Sequence, residues 1–325
     1  MPSNRFIKDT GLTVRMTTVM FLLGGLFVAV VVGLMYAFPS YAVLIALIGL
    51  GIAWYQWYNS DRLALRAMRA REVTAEQAPQ LHGMIDRLCA LADMPKPRVA
   101  VADMAMPNAF ATGRSAEHAV VCVTTGILQR LDAEEMEAVL AHELSHVAHK
   151  DVLVMTVAAS AGIIAGLSMR GAQFGAMFGG GGRGRGNNNN NNGGGAYIFL
   201  LMLVVSLVVY AVSFLLTRML SRYRELCADR SGAYLTMNPS ALASALQKIS
   251  GDIARRPTRD LREVQPMNAF FITPAVSGLT MSTITSTHPS LEKRLDQLAR
   301  IAAELGRPMD GGPAESPGPG LPPAR

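Results

Sequence analysis

Residues Asp132-Ala-Glu-Glu-Met-Glu-Ala-Val-Leu-Ala-His-Glu-Leu-Ser-His146 decide how the rest of the chain is read. Asp132, with Glu135 three residues on, is a variant of the capping box, in which each side chain bonds the other's backbone N–H at a helix start. Acidic residues there also suit the positive end of the helix dipole. Met136, Val139, Leu140 and Val147 recur at helical spacing and form a stripe for burial. On such a helix His142 and His146 lie one turn apart on one face, the spacing that lets two neutral imidazoles bind one Zn²⁺. Glu143 sits beside the first of them, placed as general base toward water activated by the metal. With 6 His and 12 Glu in 325 residues, roughly 0.004 such patterns are expected by chance.

A hydrolytic zinc needs a third protein ligand and keeps a fourth position for water. The position three beyond His146 is His149 rather than glycine, and its offset turns it off the His142/His146 line. The donor is therefore expected elsewhere, in Ser221-Arg-Tyr-Arg-Glu-Leu-Cys-Ala-Asp229, where Glu225 and Asp229 share one helix face. One carboxylate would bind the metal and the other would orient a ligand imidazole. Glu225 is assigned as ligand and Asp229 as orienting partner, although spacing alone does not separate them. An ordinary salt-bridged helix beside Arg222, Arg224 and Arg230 is the plainer alternative.

Working outward, four apolar stretches surround these motifs. Thr17–Phe38 and Tyr41–Tyr58 are uncharged, separated by Pro39-Ser40, and the second closes on Trp54, Tyr55, Trp57 and Tyr58. They are expected to form a membrane hairpin with an interfacial aromatic belt. Arg5, Lys8 and Arg15 precede the hairpin and Arg62 to Arg71 follow it, which puts both of its ends in the cytoplasm. Val152–Met169 and Ala196–Thr217 are expected as two further membrane segments, joined by a Gly/Asn-rich loop from Gly179 to Gly195 that cannot build a core. That loop carries Arg183 and Arg185, a mild breach of the charge rule if it lies outside the cytoplasm. The organisation expected is a cytoplasmic tail (1–16), the hairpin (17–58), a first catalytic part (62–151), the membrane pair (152–217), a second catalytic part (218–306) and a disordered Pro/Gly-rich tail (307–325).

Composition narrows the function classes. Only 17% of residues are charged, against about 25% in an ordinary soluble protein. The net charge of +6 comes largely from arginines flanking apolar runs, which suits a lipid bilayer with anionic headgroups and implies no nucleic acid as partner. The apolar stretches also lack the internal charges that mark a transport path. Cys89, Cys122 and Cys227 lack CxxC spacing and read as buried thiols in a reducing compartment.

Pro107-Asn-Ala-Phe-Ala-Thr-Gly113, Val139-Leu-Ala-His-Glu-Leu-Ser-His146, Ser221-Arg-Tyr-Arg-Glu225 with Ala228-Asp229, and Thr287-His-Pro289 with Arg294 resemble the HtpX family. These are bacterial heat-shock membrane zinc proteases related to the CAAX prenyl proteases and the Oma-type stress proteases, and the likeness covers nearly the whole chain. The resemblance implies Glu225 as third zinc ligand, a catalytic domain facing the cytoplasm from the bacterial inner membrane, and a role in membrane-protein quality control. The Gly/Asn-rich insertion departs from the family's more usual loop.

Two further segments then gain roles. His118–Val123 reads as a strand, and Asn108, Ala109 and Phe110 before it are expected to contact substrate if an edge strand lies beside the zinc helix. The alternative is an inner strand preceded by a polar turn. His288, ahead of a helix starting near Ser290, is a candidate donor to the reaction's oxyanion, with helix capping as the alternative; Arg294 is expected to anchor that element. The fold class expected is α+β, a transmembrane helix bundle joined to a mainly helical gluzincin-like domain with a small sheet. The function expected is a zinc endopeptidase acting on protein substrates, chiefly unfolded membrane proteins, with self-cleavage open. A catalytically silent, zinc-stabilised scaffold or chaperone is the rival reading.

Overall fold

A computed structural model of the chain describes residues 10–37, 40, 42–149, 192–254 and 289–307. Two helices, α1 (Thr10–Ala37) and α2 (Ala42–Tyr58), open it and pack together. The short α3 (Ser60–Ala67) leads to β1 (Ala70–Glu72), then α4 (Pro79–Ala92), β2 (Arg98–Ala102) and β3 (Ala109–Thr112). A single 3₁₀ turn over Ala116–His118 precedes β4 (Val120–Thr124), α5 (Thr125–Arg130) and α6 (Ala133–Ala148). The later part contributes α7 (Asn192–Thr236), α8 (Pro239–Ala254) and α9 (Leu291–Glu304).

The strands form one mixed sheet in the order β1-β2-β4-β3, with β2 and β4 parallel and the outer pairs antiparallel. Both faces are covered. Val99, Val121 and Val123 point into the main core with α4, α6, α8 and α9, while Ala100, Val120, Cys122 and Phe110 pack against Ala64, Leu65 and Met68 of the α3 region. Burial on both faces explains why β4 reads as a run of apolar residues rather than an alternation. The strand expected from His118 therefore begins at Val120, and it is an inner strand. Of the two edge strands, β1 and β3, it is β3 that lies against α6.

The main core joins segments far apart in sequence: Val139, Leu140 and Leu144 of α6 meet Leu242, Leu246 and Ile249 of α8 and Leu298 of α9. α7 is continuous from the apolar run into the carboxylate motif. Its start at Asn192 makes the last four residues of the expected loop helical, since each residue added to an existing helix gains a hydrogen bond. Near its middle, Leu220 packs on Val19 and Leu23 of α1, and the Arg15 guanidinium lies 3.9 Å from the Tyr223 ring centre.

Among the described residues no helix is long and apolar enough to cross a membrane. α2 has 17 residues, about 25 Å of helix against about 30 Å of bilayer hydrocarbon. α1 and α2 nevertheless show Phe21, Val28, Val32, Leu47 and Ile48 exposed. The segment Val152–Met169, most of the Gly/Asn-rich loop, His288 and the expected tail beyond Arg307 lie outside the described residues.

Candidate metal centre

α6 starts as its sequence dictates. Asp132 Oδ1 accepts from the backbone N–H of Glu134 at 3.1 Å and Glu135 at 3.0 Å, and Glu135 Oε2 accepts from the Asp132 N–H at 3.1 Å. The second oxygen of Glu135 takes Ser244 Oγ at 2.6 Å and Lys248 Nζ at 2.5 Å, which ties α8 to this helix start. Past its first turn α6 is buried on nearly every side, so the core holds its histidines in place from all directions.

Three side chains converge at its far end. His142 Nε2 and His146 Nε2 are 3.3 Å apart, and Glu225 of α7 brings Oε2 to 3.7 Å from the first and Oε1 to 3.5 Å from the second. All three residues are buried. Ligands placed tetrahedrally at about 2.05 Å from a common zinc lie about 3.3 Å from one another. The donor set therefore fits a metal ion in both size and chemistry.

The surroundings orient these donors. His142 Nδ1 lies 2.9 Å from Asp229 Oδ1, within reach of a hydrogen bond although the ring is turned off the ideal donor angle. A proton on Nδ1 leaves the Nε2 lone pair facing Glu225 and His146. Asp229 is itself gripped by Arg294, Nε to Oδ2 at 2.7 Å and Nη2 to Oδ1 at 2.6 Å. Burial alone would raise the Asp229 carboxyl; the Arg294 charge and hydrogen bonds, with His142, hold it below the usual carboxylate range. Spacing left Glu225 and Asp229 interchangeable, and here they face opposite nitrogens of the same imidazole.

Glu143 is buried, and its Oε2 accepts the backbone N–H of Ala111 at 3.0 Å. Burial, with a smaller push from Glu225, raises its carboxyl to about 7, against lowering by His146 and the Ala111 N–H. The Ala111 contact has no sequence signal, because only the register of β3 on β4 aims that amide at α6. Thr124 N–H donates to Asn108 C=O at 2.9 Å, so alternate positions of β3 face β4 while Ala109 and Ala111 face outward.

A model described as Peptidase family M48 matches residues 75–302, well over half the chain. The chain belongs to peptidase family M48. M48 membership makes it a metalloprotease, and the His142, His146 and Glu225 cluster lies inside the matched region. Protease HtpX homolog 1 of Streptomyces coelicolor is 53% identical over 318 residues, covering 98% of this chain and 99% of that protein. Protease HtpX homolog of Moorella thermoacetica is 48% identical over 299 residues, covering 92% and 97%. Among solved structures, the crystal structure of S. mikatae Ste24p superposes with a TM-score of 0.51 at 17% identity, covering 88% of this chain and 65% of that one. That likeness is one of fold alone, and this chain's part in it is mostly helical with a small mixed sheet.

Of the residues expected to contact substrate, Asn108 and Ala109 are buried, and Phe110 is only 5% exposed within the core on the α3 side of the sheet. The Phe110 side chain thus serves packing. His288, expected near the oxyanion, falls outside the described residues. Arg294, expected only as an anchor, is the residue whose connection to the site sequence reasoning missed.

Proposed function

We propose that the chain is a zinc endopeptidase of the bacterial cytoplasmic membrane that cleaves misfolded membrane or membrane-associated proteins. The observation that carries the catalytic part is the triangle of His142, His146 and Glu225 donors 3.3 to 3.7 Å apart, with Glu143 beside its first corner. Three protein donors of this kind, with a fourth position left for water, suit catalytic zinc. When bound, zinc supplies Lewis acidity, which lowers the pKa of water and polarises a peptide carbonyl.

In this reading the Ala111 N–H fixes Glu143 Oε2, and Oε1 takes a proton from the attacking water. The water oxygen bonds to the peptide carbonyl carbon, the C–N bond breaks, and Glu143 gives that proton to the leaving nitrogen. Asp229 orients His142, and Arg294 keeps Asp229 ionised. The outward N–H and C=O of Ala109 and the C=O of Ala111 offer an edge along which an extended substrate can add as a strand. His288 is proposed as donor to the oxyanion.

The membrane part is supported by the outward apolar side chains of α1 and α2. Arg62, Arg66, Arg69 and Arg71 are all exposed just beyond α2, where they would meet anionic headgroups on the cytoplasmic side. Reporter fusions at Arg71 and at the C-terminus should both report cytoplasm; an external signal at either overturns the orientation.

The catalytic reading is tested by zinc content and casein cleavage of purified wild type and Glu143→Gln. One zinc per chain in both, with cleavage by the wild type alone, is the expected result. Cleavage by Glu143→Gln at wild-type rate removes the assigned base, and zinc without cleavage in the wild type turns the reading to a silent scaffold.

A further inference from the structure

Glu225, Asp229 and Gly232 stand at i, i+4 and i+7 on α7, so they share one face of that helix. That face is pressed on α6. The first two members reach the imidazoles, and the third is buried and has no side chain. A Cβ at Gly232 would lie 2.9 Å from the His142 backbone nitrogen, 3.2 Å from its Cα and 3.4 Å from the Ala141 carbonyl carbon. All three are backbone atoms of a helix buried along most of its length, which cannot swing aside as a side chain could. Glycine is among the poorest helix formers, and this one is still helical one turn before α7 ends at Thr236. The close approach to His142 leaves no room for a larger residue there. Gly251 of α8, with nothing within 4 Å of its would-be Cβ, is under no such constraint.

We propose that Gly232 is a positioning residue for the metal site. Its missing side chain sets the α6–α7 separation at which Glu225 and Asp229 meet the two nitrogens of His142. The inference rests on the reading that His142, His146 and Glu225 hold the metal. An added methyl would drive α7 outward by a few tenths of an ångström, more than the ±0.2 Å within which metal–ligand distances are held. The Glu225 carboxylate would then reach the site strained, and Asp229 would loosen its hold on the His142 ring.

The test measures zinc affinity by competition with a chromogenic chelator, on full-length protein in detergent, with far-UV circular dichroism and the Co²⁺ absorption spectrum beside it. Gly232→Ala should bind zinc about 10–100-fold more weakly, the loss typical when the orientation of a ligand is disturbed. Its helix content should stay that of the wild type and its Co²⁺ bands should shift. Gly251→Ala should bind as the wild type does. Leu65→Ala, which opens the separate core on the far face of the sheet, should leave zinc affinity unchanged. The inference is overturned if Gly232→Ala binds zinc with wild-type affinity or if Leu65→Ala loses as much. It is also overturned if Gly232→Ala stays unfolded even in saturating zinc, because the Cβ would then limit the fold rather than the site. Glu225→Ala keeps the two questions apart: wild-type zinc affinity in that variant would sink the ligand reading itself.

Discussion

Arg294 of α9 clamps Asp229 of α7 through two parallel hydrogen bonds, at 2.7 and 2.6 Å, both residues being almost wholly buried. Each charge depends on the other, since neither has water to fall back on. Arg294→Ala should therefore destabilise the fold by about 3–5 kcal/mol, the usual result of stranding one partner of a buried ion pair. Arg294→Lys should restore little, because an ammonium cannot reproduce the two-pronged contact. Urea unfolding of the metal-free variants measures both; a loss under about 1 kcal/mol for Arg294→Ala would contradict the importance of the clamp.

Glu225 and Asp229 should fail in different ways. Glu225→Ala removes one of three donors, so zinc binding should collapse and proteolysis with it. Asp229→Asn keeps a polar neighbour for His142 Nδ1 and should weaken zinc binding by about 10–100-fold. Zinc titration of both variants separates the roles; retention by Glu225→Ala with complete loss in Asp229→Asn would mean that the two carboxylates had been exchanged.

At the other end of α6, Asp132→Ala should cost about 1 kcal/mol through loss of the cap. The backbone N–H of Glu135, with Lys248 nearby, holds the Asp132 carboxyl below its ordinary 3.8. A depressed carboxyl stabilises the fold fully above its unfolded value and loses that contribution as pH falls through the folded one. The difference in unfolding free energy between wild type and Asp132→Ala should thus be constant near neutrality and shrink below about pH 4. A gap unchanged at pH 3 would show that the carboxylate charge is not what caps the helix.

Burial pushes the Cys122 thiol up to about 12 and the Cys89 thiol up to about 11. Since the thiolate is the reacting species, neither should be alkylated by iodoacetamide at pH 8 while the protein is folded. In denaturant all three cysteines should react, Cys227 included. Mass spectrometry of the intact chain counts the adducts, and rapid native labelling of Cys122 would mean that the inner strand of the sheet opens readily.

What the sequence made legible was whatever one helix or one short motif encodes. The Asp132/Glu135 cap, the His142/His146 pair and the shared face of Glu225 and Asp229 depend only on spacing along a single helix, and each is found as read. What it left dark depends on how separate elements meet. The Ala111 N–H reaches Glu143 through the register of two strands, and the edge position of β3 follows from strand order rather than from the residues of Asn108–Thr112. Phe110 looks like a substrate contact in a motif, yet the pleat turns it into the opposite core. Gly232 carries no chemistry a motif could flag, and its significance appears only once α6 lies against it.

The order in which the site's parts leave the ribosome follows from the shared core of α6, α7 and α9. His142, Glu143 and His146 are synthesised early, but Glu225 arrives 79 residues after His146, and Arg294, which closes on Asp229, arrives 148 residues after it. At translation rates of about 5–20 residues per second, the interval to Arg294 is roughly 7–30 s. For about the first half of it the nascent chain lacks Glu225, and throughout it Asp229 lacks the arginine that clamps it. A hydrolase assembled in this order completes its site only when nearly its whole length has been made.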